Sequence, residues 1–157
     1  MITRTLVMVG TPTLRHERGA VLVMTTIMLA ILLGVAALAI DVGYMYAHRE
    51  NLRNATDSAA IAAGLAVKEN PSVNQNTLDS IALSEAQNII SDLVATDIEV
   101  TRSPGTADGY AYDYTGDSTA VGVTITQNKN TFFSRILSIA DMDVRTRAVA
   151  NTGFGAP

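Results

Sequence analysis

The chain has 157 residues, of which 48% are hydrophobic and 17% charged, with a formal net charge of −4 and a mean hydropathy of +0.22. The lack of cysteine excludes disulfide scaffolds and thiolate metal sites, two histidines leave little for imidazole chemistry, and the absence of tryptophan with 5% aromatic residues argues against nucleic acid as a partner. The apolar excess sits in one block, which argues against a fully soluble enzyme and against a disordered tail.

That block, Ala20 to Ile40, is 21 residues without Asp, Glu, Lys, Arg or His. As a helix it covers about 31 Å, the hydrocarbon thickness of a bilayer. Leu, Ile and Val fill 11 of its positions, which at about −0.3 to −0.6 kcal/mol each supply about −5 kcal/mol toward insertion. Residues 1–19 hold Arg4, Arg15 and Arg18 against Glu17, whereas residues 41–157 hold 8 basic and 14 acidic groups. Basic residues near a span stay on the cytoplasmic side. The expectation is therefore a cytoplasmic leader at 1–19, a transmembrane helix at 20–40 and an external chain from Asp41, with membrane lipid as the first partner. A cleavable signal peptide is the competing reading, because Ala37-Leu38-Ala39 has the A-x-A form. Against it, a cleaved apolar region usually has about 7–15 residues.

No proline occurs between Asp41 and Glu69, and Asn70-Pro71 is the first stop signal. One helix is expected from about Ala20 to Lys68, about 73 Å long, with residues 41–69 as its extramembrane continuation. On that continuation Ala55, Ala59 and Ala63 form an i, i+4 row beside Ala60 and Gly64. Such a small-residue face admits close approach by another element. Two partners are open: the chain's own C-terminal domain, or a helix of another subunit. Arg49, Arg53 and Asp57 form a second row, read as solvated charges or, for the two arginines, as contacts to lipid headgroups. Asp41 either delimits the span or pairs with a cation during assembly.

Residues 72–157 are expected to form a small α+β head, helices packed on an antiparallel-leaning sheet, with the outer half of the long helix completing the core. Its first helix is capped by Asn76 or Thr77 and carries Leu78, Ile81, Ala82, Ala86, Ile89, Ile90, Leu93 and Val94 on one stripe. Strands are predicted at Ile98 to Arg102, through the alternating Tyr110, Tyr112 and Tyr114, through Val121, Val123 and Ile125, and from Met142 to Ala150. Ser103-Pro104-Gly105 and Gly116-Asp117 mark turns. A short helix is predicted from Thr131, with Phe132, Phe133, Ile136, Leu137 and Ile139.

Motifs for chemistry do not occur: there is no G-x-S-x-G, Walker loop, G-x-G-x-x-G or H-E-x-x-H. No catalytic residue, cofactor or metal is expected, and the chain reads as a non-enzyme. Asp108, Asp113 and Asp117 are the one acidic run with oxygen ligands for calcium, but their spacing fits no EF-hand loop, and Asp beside Gly is also ordinary turn chemistry.

Arg18-Gly19, the apolar span through Ala39-Ile40-Asp41-Val42-Gly43, then Tyr46, Arg49, Leu52, Asn54-Ala55-Thr56-Asp57 and Ala59-Ala60 stand in an order that resembles the N-terminal region of TadE/TadG-like proteins of the Tad (Flp) pilus and secretion machinery. Phe132-Phe133-Ser134-Arg135-Ile136-Leu137, between two Val-rich strands, is similar to that family's closing segment. The resemblance implies a single-pass bacterial inner-membrane protein with a cytoplasmic N-terminus and a periplasmic head. It would act as a minor pilin-like or assembly component, joined through its long helix to other pilin-like or Tad assembly proteins in a hetero-oligomer. It also implies boundary and assembly roles for Arg18, Asp41 and Gly43, and raises processing at Gly19-Ala20. After such a cut Met24 would stand at the fifth mature position, where classical prepilins place Glu. The D-x-S-x-S motif of the von Willebrand A domain in longer TadG-like proteins does not occur, so a short form is expected. The alternative is a membrane-tethered periplasmic binding module unrelated to pili.

Overall fold

The computed structural model describes residues 15–130 and 141–153, with side chains from Gly19 onward. It is an α+β protein that divides into two compact units, Met1–Ala39 and Ile40–Pro157. Helix α1 (Arg15–Glu69) is followed by α2 (Gln75–Gln87), β1 (Ile98–Arg102), β2 (Ala120–Asn130) and β3 (Asp141–Asn151). The short helix predicted from Thr131 lies outside the described residues.

In the first unit α1 is apolar all round. Leu22, Met24, Met28 and Leu33 are 68%, 74%, 66% and 62% exposed. Thr25 and Thr26 turn their hydroxyls back to the carbonyls of Val21 and Leu22, each at 2.8 Å, which removes two donors from the outward surface. The helix is long and apolar enough to cross a membrane, with a hydropathy of 2.7 in an 18-residue window and none of that window buried.

The second unit is built on an antiparallel sheet of order β1-β2-β3. Its registers pair Val100 with Val123 and Val123 with Ala148, so one face carries Ile98, Val100, Val121, Val123, Ile125, Val144 and Ala148. The residues of α1 beyond Ile40 and those of α2 cover that face with Leu52, Ala55, Ala59, Ala63, Val67, Leu78, Ala82 and Ala86. α1 runs alongside β3 in the same direction. Thr56 shares a hydrogen bond with Thr146, and a Cβ on Gly64 would lie 2.9 Å from that of Ala150. At the other edge Gln75 donates to the Val100 carbonyl at 2.8 Å, and the Arg102 guanidinium donates to the carbonyls of Pro71 and Val73, tying β1 to the α1–α2 connection.

The cap of helix α2 stands two to three residues earlier than the sequence suggested. Asn74, neither Asn76 nor Thr77, is the cap: its backbone is extended, with φ −75° and ψ 158°, and its Oδ1 accepts from the Thr77 N–H at 2.8 Å. The stripe also ends sooner, because the chain turns after Gln87. Ile90 and Leu93 reach the core from that turn, while Ile89 and Val94 stay exposed. Asn74→Ala is expected to cost about 0.5–2 kcal/mol, and Asn76→Ala close to nothing, in thermal unfolding of the full chain.

Tyr110, Tyr112 and Tyr114 do not form a strand. Their backbone turns instead, with Gly109 and Gly116 at φ 85° and 86°. The physical reason is local competition. Asp113 accepts from the N–H and hydroxyl of Thr115, and Asp117 from those of Thr119, so side chains take backbone donors that a ladder would need. The segment then lies over the sheet's second face, where the buried Tyr110 places its hydroxyl 3.1 Å from that of Thr124.

Candidate assembly site

Of the residues singled out by sequence, the small-residue row is the most completely placed. Ala55, Ala59 and Ala63 are fully buried and Ala60 is 1% exposed, all within the core of the second unit. Gly64 is buried too, and a methyl group there would press on Ala150 and on Thr152 Cγ2 at 3.2 Å. Of the two partners open to this face, the chain's own sheet occupies it. The other faces of α1 hold the exposed Ile61 and Leu65.

Asp41 is buried, at 4% exposure, where the second unit begins. Gly43, two residues on, has open space where a Cβ would stand. Gly19 is equally open, and the side chain of Arg18 lies outside the described residues.

From Asp41 onward a groove of about 610 Å³ runs between α1 and β3, lined on α1 by Asp41, Val42, Met45, Tyr46 and Arg49 and on β3 by Met142, Asp143, Val144 and Arg145. It continues into a second hollow of about 410 Å³, lined by Tyr46, Arg49, Glu50 and Arg53 of α1 and by residues 145–147 of β3. The sequence points to Arg49 and Arg53 but not to the strand that lines the same hollow. Alternation turns Thr146 toward α1, where it meets Thr56, and sends Arg145 and Arg147 to the opposite face, toward Glu99 and Gly109. What the sequence lacks is the register that brings this strand beside α1.

His48 faces inward on the same helix. Its ring stacks on Tyr44 at 6.5 Å, and its Nε2 is buried without a hydrogen-bond partner among the described residues, as is Oε1 of Gln127. Burial holds its pKa below the usual histidine value and the Lys129 ammonium pushes the same way, whereas Asp92 and Gln127 pull it up. Gln127 stands near the ring without the alignment of a hydrogen bond. Lys129 is bound to Asp92 at 2.7 Å, and that hydrogen bond lowers the Asp92 pKa. A depressed histidine pKa means that unfolding takes up a proton in acid. The contribution is complete above about pH 6.5 and is lost as the pH falls through the lower folded-state value. The melting temperature of the head is expected to fall between pH 7.5 and pH 5.5, and His48→Gln to flatten that fall.

The acidic run is occupied by its own turns. Asp108 accepts from the Gly105 N–H at 2.9 Å, Asp113 from the Thr115 N–H at 3.0 Å, and Asp117 from the Thr119 N–H at 2.9 Å and Asn151 Nδ2 at 2.8 Å. Hydrogen bonds from Thr115 and Thr119 hold the carboxyls of Asp113 and Asp117 below the usual range. Among the described residues no group of three or more metal-ligating side chains comes together.

Residues 19–67, nearly all of α1, match the Tad family model, described as putative Flp pilus-assembly TadE/G-like. The segment is similar to a TadE/G-like domain. No curated protein and no solved structure matches the chain. The matched segment crosses the division between the two units, and its C-terminal half supplies Leu52, Ala55, Ala59 and Ala63 to the core of the head. Its match thus covers both the exposed apolar run and the face on which the sheet is built.

Proposed function

We infer that the protein is a membrane-anchored structural component of a Tad-type pilus or secretion system, minor pilin-like, that works by packing and not by catalysis. The carrying observation is the coincidence of the TadE/G-like segment with a helix whose first unit is apolar on all sides and whose continuation is core to a small α+β head. An apolar surface of that kind is stable in lipid and costly in water. The charge split supports a cytoplasmic N-terminus, a span at 20–40 and a periplasmic head, with Asp41 at the boundary. Partners are other Tad components, reached through faces of α1 that the sheet leaves exposed, such as Ile61 and Leu65.

Carbonate-washed membranes are expected to retain the full chain. A deletion strain should lose Tad pili and regain them with the full chain but not with a version starting at Asp41. Recovery in the cytoplasm, or normal pili in the deletion strain, would overturn the reading.

A further inference from the structure

The two edges of the sheet are finished differently. Thr152 N–H donates to the Thr119 carbonyl at 3.1 Å, and Ser103 N–H to that of Ala120 at 2.9 Å. Hydrogen-bonded pairs recur at every second residue of an antiparallel ladder. The backbone N–H and C=O of Val144, Thr146, Ala148 and Ala150 therefore turn toward β2, and those of Asp143, Arg145, Arg147 and Val149 turn away from it. On β1 the same alternation turns the Val100 carbonyl outward, where the Gln75 amide donates to it at 2.8 Å. Among the described residues no backbone hydrogen bond reaches the outward groups of β3.

Space lies beside those groups. α1 packs on one face of β3, the Tyr110 segment lies over the other face of the sheet, and hollows of about 610, 410 and 440 Å³ follow the strand through residues 142–149. An open edge of 11 residues is a template on which an extended chain adds as a further strand.

Charge restricts which chain fits. Arg145 and Arg147 stand at alternate positions on the face away from α1. Arg145 reaches Glu99 at 4.0 Å with both side chains exposed, a weak pair. Among the described residues Arg147 takes part in no ion pair, and its guanidinium lies under Gly109, beside the hollow lined by Tyr110, Tyr112 and Tyr114. The carboxylates on the same face, Asp141 and Asp143, already accept from Asn128 Nδ2. An added strand with basic residues opposite Arg145 and Arg147 is repelled, whereas one with carboxylates gains a cross-strand pair at each. The residue between those carboxylates falls beside Thr146, half-buried against α1, which suits a β-branched apolar neighbour.

A second β3 laid antiparallel would also match charge, with Asp141 and Asp143 against Arg147 and Arg145. It would point the two copies of residues 41–69 in opposite directions, because α1 runs with β3, and one membrane does not anchor both. We propose that the outer edge of β3 takes up an extended segment of a different chain, an acidic–apolar–acidic strand whose carboxylates lie against Arg145 and Arg147. Only the exclusion of a second copy rests on the anchoring proposed above.

The test uses the full chain in neutral detergent and three synthetic heptapeptides, Thr-Val-X-Val-X-Val-Thr with X as Glu, Gln or Lys, read by fluorescence polarisation and hydrogen exchange. The Glu peptide is expected to bind about tenfold more tightly than the Lys peptide, with the Gln peptide between them. It should slow amide exchange at residues 143–149 and leave residues 98–102 unchanged. Arg145→Gln/Arg147→Gln should erase the difference between the peptides, and N-methylation of alternate residues of the Glu peptide should abolish its binding. Val149→Pro removes one outward N–H, spares the ladder to β2, and should weaken the Glu peptide. Equal binding of the Glu and Lys peptides, binding that survives N-methylation, protection at β1 or no binding at all overturns the proposal. So does a disulfide dimer of Asp143→Cys/Arg145→Cys in liposomes, which would assign the edge to a second copy, since the chain has no cysteine of its own. Unchanged near-ultraviolet melting of the variants guards against misfolding, and carbonate extraction reports anchoring separately: a chain that resists extraction but binds no peptide sinks this inference alone.

Discussion

Leu52→Ala is expected to lower the stability of the head by about 2–5 kcal/mol, a fall of about 10–20 °C in Tm. Leu52 is fully buried on α1, in the core cluster that joins both helices to the sheet. Truncation removes apolar contact and leaves a cavity that a helix fixed by its flanking alanines closes only in part. The Leu52 carbonyl, which accepts from Thr56 at 2.7 Å, is a backbone group and survives the change, so the loss reports packing. Leu65→Ala, at a half-exposed position of the same helix, should stay within about 0.5 kcal/mol. The measurement is thermal unfolding of the full chain in detergent, followed through the near-ultraviolet tyrosine signal. Equal effects at Leu52 and Leu65 would mean that this part of α1 does not pack on the sheet.

Gly122→Val is the second large effect, expected at about 1–3 kcal/mol or more. Gly122 lies in the central strand, where an added Cβ would stand 2.6 Å from both Cζ and the hydroxyl oxygen of Tyr110 and 2.9 Å from Cβ of Pro104. Proline has little freedom to retreat. The tyrosine ring yields only by leaving its place over the sheet, which also breaks its hydrogen bond to Thr124. Valine favours strands by intrinsic preference, so a stabilised variant would show that the Tyr110 loop does not cover this face. Tyr110→Ala made together with Gly122→Val should recover part of the loss, because it removes the group that clashes.

Legibility in the sequence followed the range of the interaction. The apolar run, the uninterrupted helix to Glu69, α2 and the strands β1, β2 and β3 were readable because each shows its own period within a few residues. The tyrosine segment was misread for the same reason: its alternation is that of a strand, while the aspartates that bend it act through hydrogen bonds and not through hydropathy. The Asn74 cap was missed by two residues because Asn74, Asn76 and Thr77 are all competent caps, and only the backbone decides among them.

Composition and periodicity alone thus determined the element types and a helix apolar enough to span a membrane, while the ordered run from Arg18 to Ala60 carried the family resemblance. They could not say what lay against the alanine row, since a small-residue face permits close approach without naming the partner. Only the tertiary structure assigned that row to the chain's own sheet and set Thr146 of β3 against Thr56 of α1. The reason is physical: side-chain period records the geometry of one element, whereas meeting across about a hundred residues of chain depends on register and packing that no single element contains.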